Sequence, residues 1–116
     1  MLAASNRLRS DSDIKQTLRQ GRRLTTPGVR IFYRQKTNQT QTRIACVVGV
    51  VVDRRAVARH RYQRWLRVAA AQVIERLPQG SVFDMVWIAQ RGITTFQSQQ
   101  DLTDMVTAAL LEQIKK

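Results

Sequence analysis

An α+β sandwich is the fold class the sequence predicts: one four-stranded sheet packed with helices, in the order helix, three strands, helix, strand, helix. Three observations predict it. Val29–Gln35 alternates strictly, with Val29, Ile31 and Tyr33 on one face and Arg30, Phe32 and Arg34 on the other, the signature of a half-covered strand. From about Arg55 to Leu77 the apolar residues instead recur at helical spacing. Two Ser-x-x-Asp boxes, Ser10 to Asp13 and Ser98 to Asp101, open one helix near each end of the chain.

The first helix follows Ser10, carries two acids in its first turn and sets Ile14 and Leu18 on one face. Gly21 reads as its left-handed cap. Arg22–Thr25 is expected to form a short edge strand, and Thr26-Pro27-Gly28 has turn chemistry. After the alternating strand, the polar loop Lys36–Thr42 reads as a hairpin connection. Ile44–Val52 is nearly continuous in valine, as in a strand covered on both faces. The long helix then closes at Pro78 and Gly80, Val82–Ala89 is the fourth strand, and Arg91-Gly92 ends it. The last helix buries Leu102, Met105, Val106, Ala109, Leu110 and Ile114. With 116 residues, no repeat and no dividing linker, residues 1–116 read as a single domain.

Charge narrows the function. The net charge is +12, and residues 1–67 hold 16 Lys and Arg against 3 acids. Such asymmetry makes a directed positive surface, suited to nucleic acid before an anionic membrane. The long helix focuses it. Between Arg54 and Ile74 there are six arginines, one histidine and no acid. At 100° per residue, Arg59, His60, Gln63, Arg64 and Arg67 share one arc, while Ala58, Tyr62, Trp65, Leu66, Ala69 and Val73 share the neighbouring, buried one. Like charges at these spacings cost a helix a few tenths of a kcal/mol per pair, a penalty that a polyanion reverses. Arginine suits phosphate because its planar fork donates two parallel hydrogen bonds. The strand face Arg30-x-Phe32-x-Arg34 suits a stacked base between two phosphates, and equally a Phe covered by the first helix.

Other chemistry is thinly represented. Eight acids form no metal-ligand motif, four of them lying in capping segments, and His60 is the only histidine. No catalytic residue and no protein-held metal are therefore expected. Cys46 is alone and reads as a small buried hydrophobe. No stretch approaches the roughly 18 apolar residues of a membrane span, and the first five residues are too short for a signal peptide, so a cytoplasmic location is expected.

The run Ala56-x-x-Arg59-His60-Arg61-x-x-Arg64-x-x-Arg67 resembles the arginine-rich signature of the bacterial ribonuclease P protein subunit, in which Asn is usual and His permitted at the second of its basic positions. The resemblance extends over nearly the whole chain. It takes in Asn6-Arg7-Leu8, Asp13, Gly21-Arg22-Arg23, Ile31-Phe32-Tyr33 and Val86 through Arg91. It implies a ribosomal-protein-like two-layer sandwich with a left-handed βαβ crossover. It also implies a protein that binds a large catalytic RNA and the 5′ leader of precursor tRNA, the RNA cutting the leader with its own magnesium ions. Arg54, Arg55, Arg59, His60, Arg61, Gln63, Arg64 and Arg67 would then meet the catalytic RNA. Ile14, Leu18, Arg30, Phe32 and Arg34 would line the leader cleft.

Three positions depart from the family pattern. Val50 to Arg55 replaces a Ser-Lys-Lys-x-Gly-Asn-like segment, Ile14 and Leu18 stand where phenylalanines are frequent, and Gln90 stands where Arg is common. Two rival readings share the basic face. One is a general RNA-binding or ribosome-associated protein without a processing role. The other is a DNA-binding protein laying the basic helix in a major groove, against which no helix-turn-helix precedes that helix. Neither a membrane nor a small-molecule substrate is expected as partner.

Overall fold

The structure, a computed structural model, describes residues 2–115. After a single 3-10 turn (Ala4–Asn6) come α1 (Asp11–Gln20), β1 (Arg22–Thr26), β2 (Val29–Gln35), β3 (Arg43–Val47), α2 (Ala56–Arg76), β4 (Phe83–Ala89), a 3-10 stretch (Arg91–Thr95) and α3 (Gln99–Lys115). The serine half of each capping box forms at the helix starts. The Ser10 and Ser98 hydroxyls accept from the amides of Asp13 and Asp101 at 3.4 and 3.1 Å.

The sheet order is β1-β2-β4-β3, antiparallel except for the parallel β3–β4 pair that α2 connects. The expected hairpin between β2 and β3 is therefore absent, because β4 lies between them. Of the four strands, β4 is apolar on both faces apart from Asp84, and six of its seven residues are buried. A central position covers both its faces, whereas β3 can tolerate an edge.

Two further expectations are corrected. The valine run does not continue as strand to Val52. Its pairing with β4 ends at Val47–Ile88, and the chain must then leave the sheet to reach α2. Val50 and Val51 consequently project into solvent at 68% and 58% exposure. Gly21 is not left-handed but extended (φ −75°, ψ 159°), since the chain passes directly from α1 into β1. Glycine is needed there for space: a Cβ would lie 2.5 Å from the Thr17 carbonyl oxygen and 2.9 Å from that of Tyr33. At the turn before β2, by contrast, Gly28 has φ +92°, which glycine adopts without steric cost.

The main core lies between one sheet face and the pair α2–α3. Val29, Ile31, Tyr33, Ile44, Met85 and Trp87 meet Tyr62, Leu66, Ala69, Val73, Leu102, Val106 and Leu110 there. Trp65, Met105, Ala109 and Ile114 are only partly buried, at the margin of the apolar stripes. The other face is the thinner one. Leu8, Ala45 and Val86 form a small second cluster, against which Ile14, Phe32 and Ile88 pack. So α1 covers only part of this face, and its Leu18 stays 37% exposed.

Candidate nucleic-acid interface

The first surface is built by α2. Its buried stripe seats Ala58, Tyr62, Leu66, Ala69, Ala70 and Val73 on the core. That packing turns His60, Arg61 and Arg64 to solvent and leaves Arg59, Gln63 and Arg67 half-buried at the flank. The ion pairs among the described residues are Arg43–Asp13, Arg43–Asp84 and Arg55–Asp53. Arg61, Arg64 and Arg67 therefore form no ion pair among the described residues, and Arg59 has only the nearby Asp53 carboxylate as a countercharge, without a direct ion pair. The first turn of α2 also lacks acids, so the positive end of the helix dipole adds to the field.

Not every residue on this face is free to meet a partner. Arg59 donates through Nη1 to the carbonyls of Asp53 (3.1 Å) and Arg54 (2.7 Å), bracing the loop that precedes the helix. Gln63 donates to the Cys46 carbonyl at 3.1 Å and so ties α2 to the β3 edge. Asp53 organises the helix start: its carboxylate accepts from the Arg55 amide (2.8 Å) and pairs with the Arg55 guanidinium (3.0 Å). These hydrogen bonds hold the Asp53 carboxyl down at about 2. Arg61 rests over the Tyr62 ring, 5.4 Å from its centroid. Arg54 and Arg55 are exposed at the head of this face, and Arg54 shares a cleft with Val50–Val52 and Arg91, which follows β4. The two parallel strands end side by side, and this brings Arg91 to the α2 entrance.

The second surface is a trough on the thin sheet face. Alternation places Arg30, Phe32 and Arg34 there, beside Val86 and Ile88 of β4 and Ala45 and Val47 of β3. Ile14 of α1 packs against this face, and Leu18, one turn further on, stays 37% exposed. Phe32 is half-buried: it packs against the small cluster and keeps part of its surface open. The packing reading of Phe32 thus holds in part, since the small cluster covers one side of the ring. Across the β1–β2 ladder, Arg23 stands opposite Phe32 on the same face. No acid pairs with Arg23, Arg30 or Arg34 among the described residues. The trough is an apolar floor rimmed by unpaired guanidinium groups.

Sequence reasoning missed the clamp that fixes the trough's width. Asp84, 1% exposed on β4, accepts from Arg43 Nε (3.0 Å) and Nη2 (2.8 Å) and from Gln39 (2.8 Å). The same Arg43 reaches Asp13 in the first turn of α1 at 3.3 Å. One guanidinium thereby ties helix to sheet. Asp84 was the available signal, as an acid inside an otherwise apolar strand. Arg7 and Arg9 were also missed. They join Arg67 along a groove of about 350 Å³ at the outer edge of β3, where Arg7 forms a parallel bridge with Ile44.

Cys46 is half-buried beside that edge, and burial pushes its thiol up to about 12 despite Arg67 and Arg7 nearby. Among the described residues no three His, Cys, Asp or Glu side chains come together as a metal site. Nor is any helix there long and apolar enough to cross a membrane. The donor set does not suit a protein-held magnesium ion, because its most buried carboxylate is already taken by Arg43.

Comparisons with known proteins bear on the family and the fold. The family model for ribonuclease P matches residues 2–114. The ribonuclease P protein component of Synechococcus elongatus is 30% identical, with 93% of each chain covered. That of Rhodococcus opacus is 34% identical, covering 96% of this chain and 90% of its own. The ribonuclease P protein of Staphylococcus aureus superposes with a TM-score of 0.79 at 14% identity, over 96% of this chain and 95% of that one, which shows the fold alone. This chain belongs to the ribonuclease P protein family, the protein subunit of the ribonucleoprotein endoribonuclease that matures the 5′ end of tRNA.

Proposed function

We propose that the two surfaces divide the work of a single RNA-binding domain spanning residues 1–116. The arginine face of α2, with Arg54 and Arg55 at its head, grips the backbone of the catalytic RNA. The trough between α1 and the sheet holds the single-stranded 5′ leader of precursor tRNA. One observation carries this reading: arginines without countercharge line both surfaces, and one of the two has an aromatic floor. A continuous helix of guanidinium groups suits phosphates held in a folded RNA. A narrow strip with an open Phe flanked by cations suits a strand whose bases are unstacked.

The chain's own contribution is binding and orientation. Arg59 and Asp53 hold the entrance of α2 in shape, and Arg43 sets the distance between α1 and the sheet. Arg30 and Arg34 fix leader phosphates beside Phe32, which positions the scissile bond against the RNA. Magnesium chemistry belongs to the RNA partner, and the setting is the cytoplasm.

The test is cleavage of precursor tRNA by a ribonuclease P RNA at low magnesium, with and without this chain. Marked stimulation is expected. RNA binding without stimulation would instead favour a general RNA-binding protein and overturn the proposal.

A further inference from the structure

A third cleft opens at the far end of the sheet, where β1 begins and β2 ends. It measures about 410 Å³ and is lined by Arg22, Arg34, Tyr33, Phe83 and the amides of Gln20, Gln35 and Gln113, with Ile114 beside them. No acid lines it. Tyr33 is 5% exposed, and its hydroxyl is buried without a hydrogen-bond partner in the protein. Tyr33 and Phe83 meet edge to face, their centroids 6.1 Å apart, and make a firm apolar wall.

The lining has the chemistry of a nucleotide site. Two guanidinium groups at the rim supply phosphate donors. Three carboxamides each offer both a donor and an acceptor, as the edge of a nucleobase requires. The aromatic wall gives the base an apolar surface. The cleft is also continuous with the trough through Arg34, two residues along β2 from Phe32 and about 7 Å away. Arg34 lies on the trough face, whereas Arg22 and Tyr33 are cross-strand partners on the other. A strand leaving Phe32 would turn around the sheet end at Arg34 and enter the cleft beside Arg22.

We propose that this cleft binds one nucleotide of single-stranded RNA, the part of the 5′ leader lying beyond Phe32 and farther from the cleavage site. The inference rests on the leader reading of the trough and extends it.

The experiment uses holoenzyme assembled from this chain and a ribonuclease P RNA, with precursor tRNAs whose leaders lengthen one nucleotide at a time. Affinity should rise in two steps, one as the leader reaches Phe32 and another as it reaches the cleft. Arg22→Gln with Gln113→Ala should abolish the second step, a loss of roughly tenfold, as expected for a charge-assisted hydrogen bond. Short-leader and mature tRNA affinities should stay at the wild-type level, with an unchanged melting temperature. A second step that persists in the double variant overturns the cleft assignment and leaves the trough standing, and so does an equal loss with every substrate. Absence of both steps in the wild type overturns the trough reading and the cleft with it. If the double variant is destabilised, Arg22→Lys is the second test: retention of the second step supports a phosphate contact, and its loss together with the first contradicts one.

Discussion

Replacing Arg43 by Met tests the clamp between α1 and the sheet. Asp84 is almost fully buried and takes two of its three hydrogen bonds from this one guanidinium. Without Arg43, a buried carboxylate would keep only the Gln39 amide. Breaking a buried pair by removing one partner costs about 3–5 kcal/mol. Because the Arg43 side chain is 29% exposed, water screens part of the interaction, and about 3 kcal/mol is expected. For a domain of this size that lowers the melting temperature by about 12 °C, at about 4 °C per kcal/mol. Adding Asp84→Leu removes the stranded charge and should return stability to within about 1 kcal/mol of the wild type. Urea unfolding followed by circular dichroism at neutral pH gives both values. The double variant should still bind leader-bearing substrate weakly, since α1 is no longer tied through Asp13. An Arg43→Met protein within about 1 kcal/mol of wild type would refute the reasoning, as would a double variant no more stable than the single.

Arg61→Ala with Arg64→Ala should weaken binding to ribonuclease P RNA about equally across sequences, reducing the log–log salt slope by about 0.7 to 0.9 per lost phosphate contact; an unchanged slope would move the contact elsewhere. Arg59→Ala should behave differently, disturbing the loop it braces, which amide exchange at residues 53–55 would report. The Asp53 carboxyl should titrate near 2 by NMR. Its folded value lies below the ordinary 3.8, so its contribution to holding the α2 entrance is complete above about 3.8 and fades as the pH falls through about 2. Cys46, with its thiol pushed up to about 12, should resist alkylation at pH 8 in the native protein and react once unfolded.

The order of elements was legible because period two, period 3.6 and the two capping boxes are local signals, and each formed where its residues stand. The arginine face was legible for the same reason, since helical spacing alone separates Arg64 from Leu66. What depended on pairing was not. Nothing in Val82–Ala89 states that it lies between β2 and β3, so the loop Lys36–Thr42 read as a hairpin. The valines after Val47 read as strand because their composition is strand-like, whereas their fate depends on where β4 stops. Gly21 carried the right residue for a different reason, close approach rather than left-handed backbone. The clamp joins Asp13, Arg43 and Asp84 from three distant segments, and only the folded sheet brings them together. Arg59 and Gln63 sit on the expected arc, yet their hydrogen bonds to Asp53, Arg54 and Cys46 turn them inward to support the fold.

The leader trough is tested most directly by the ratio of precursor to mature tRNA affinity in a holoenzyme carrying Phe32→Ala. Stacking of a base on an aromatic side chain is worth about 1–3 kcal/mol, so the ratio should fall roughly 5- to 150-fold while mature tRNA binds as before. A ratio left at its wild-type value, in a protein whose melting temperature has dropped, would make Phe32 a packing residue of the small cluster with Leu8 and Val86 and would contradict the placement of the leader between α1 and the sheet.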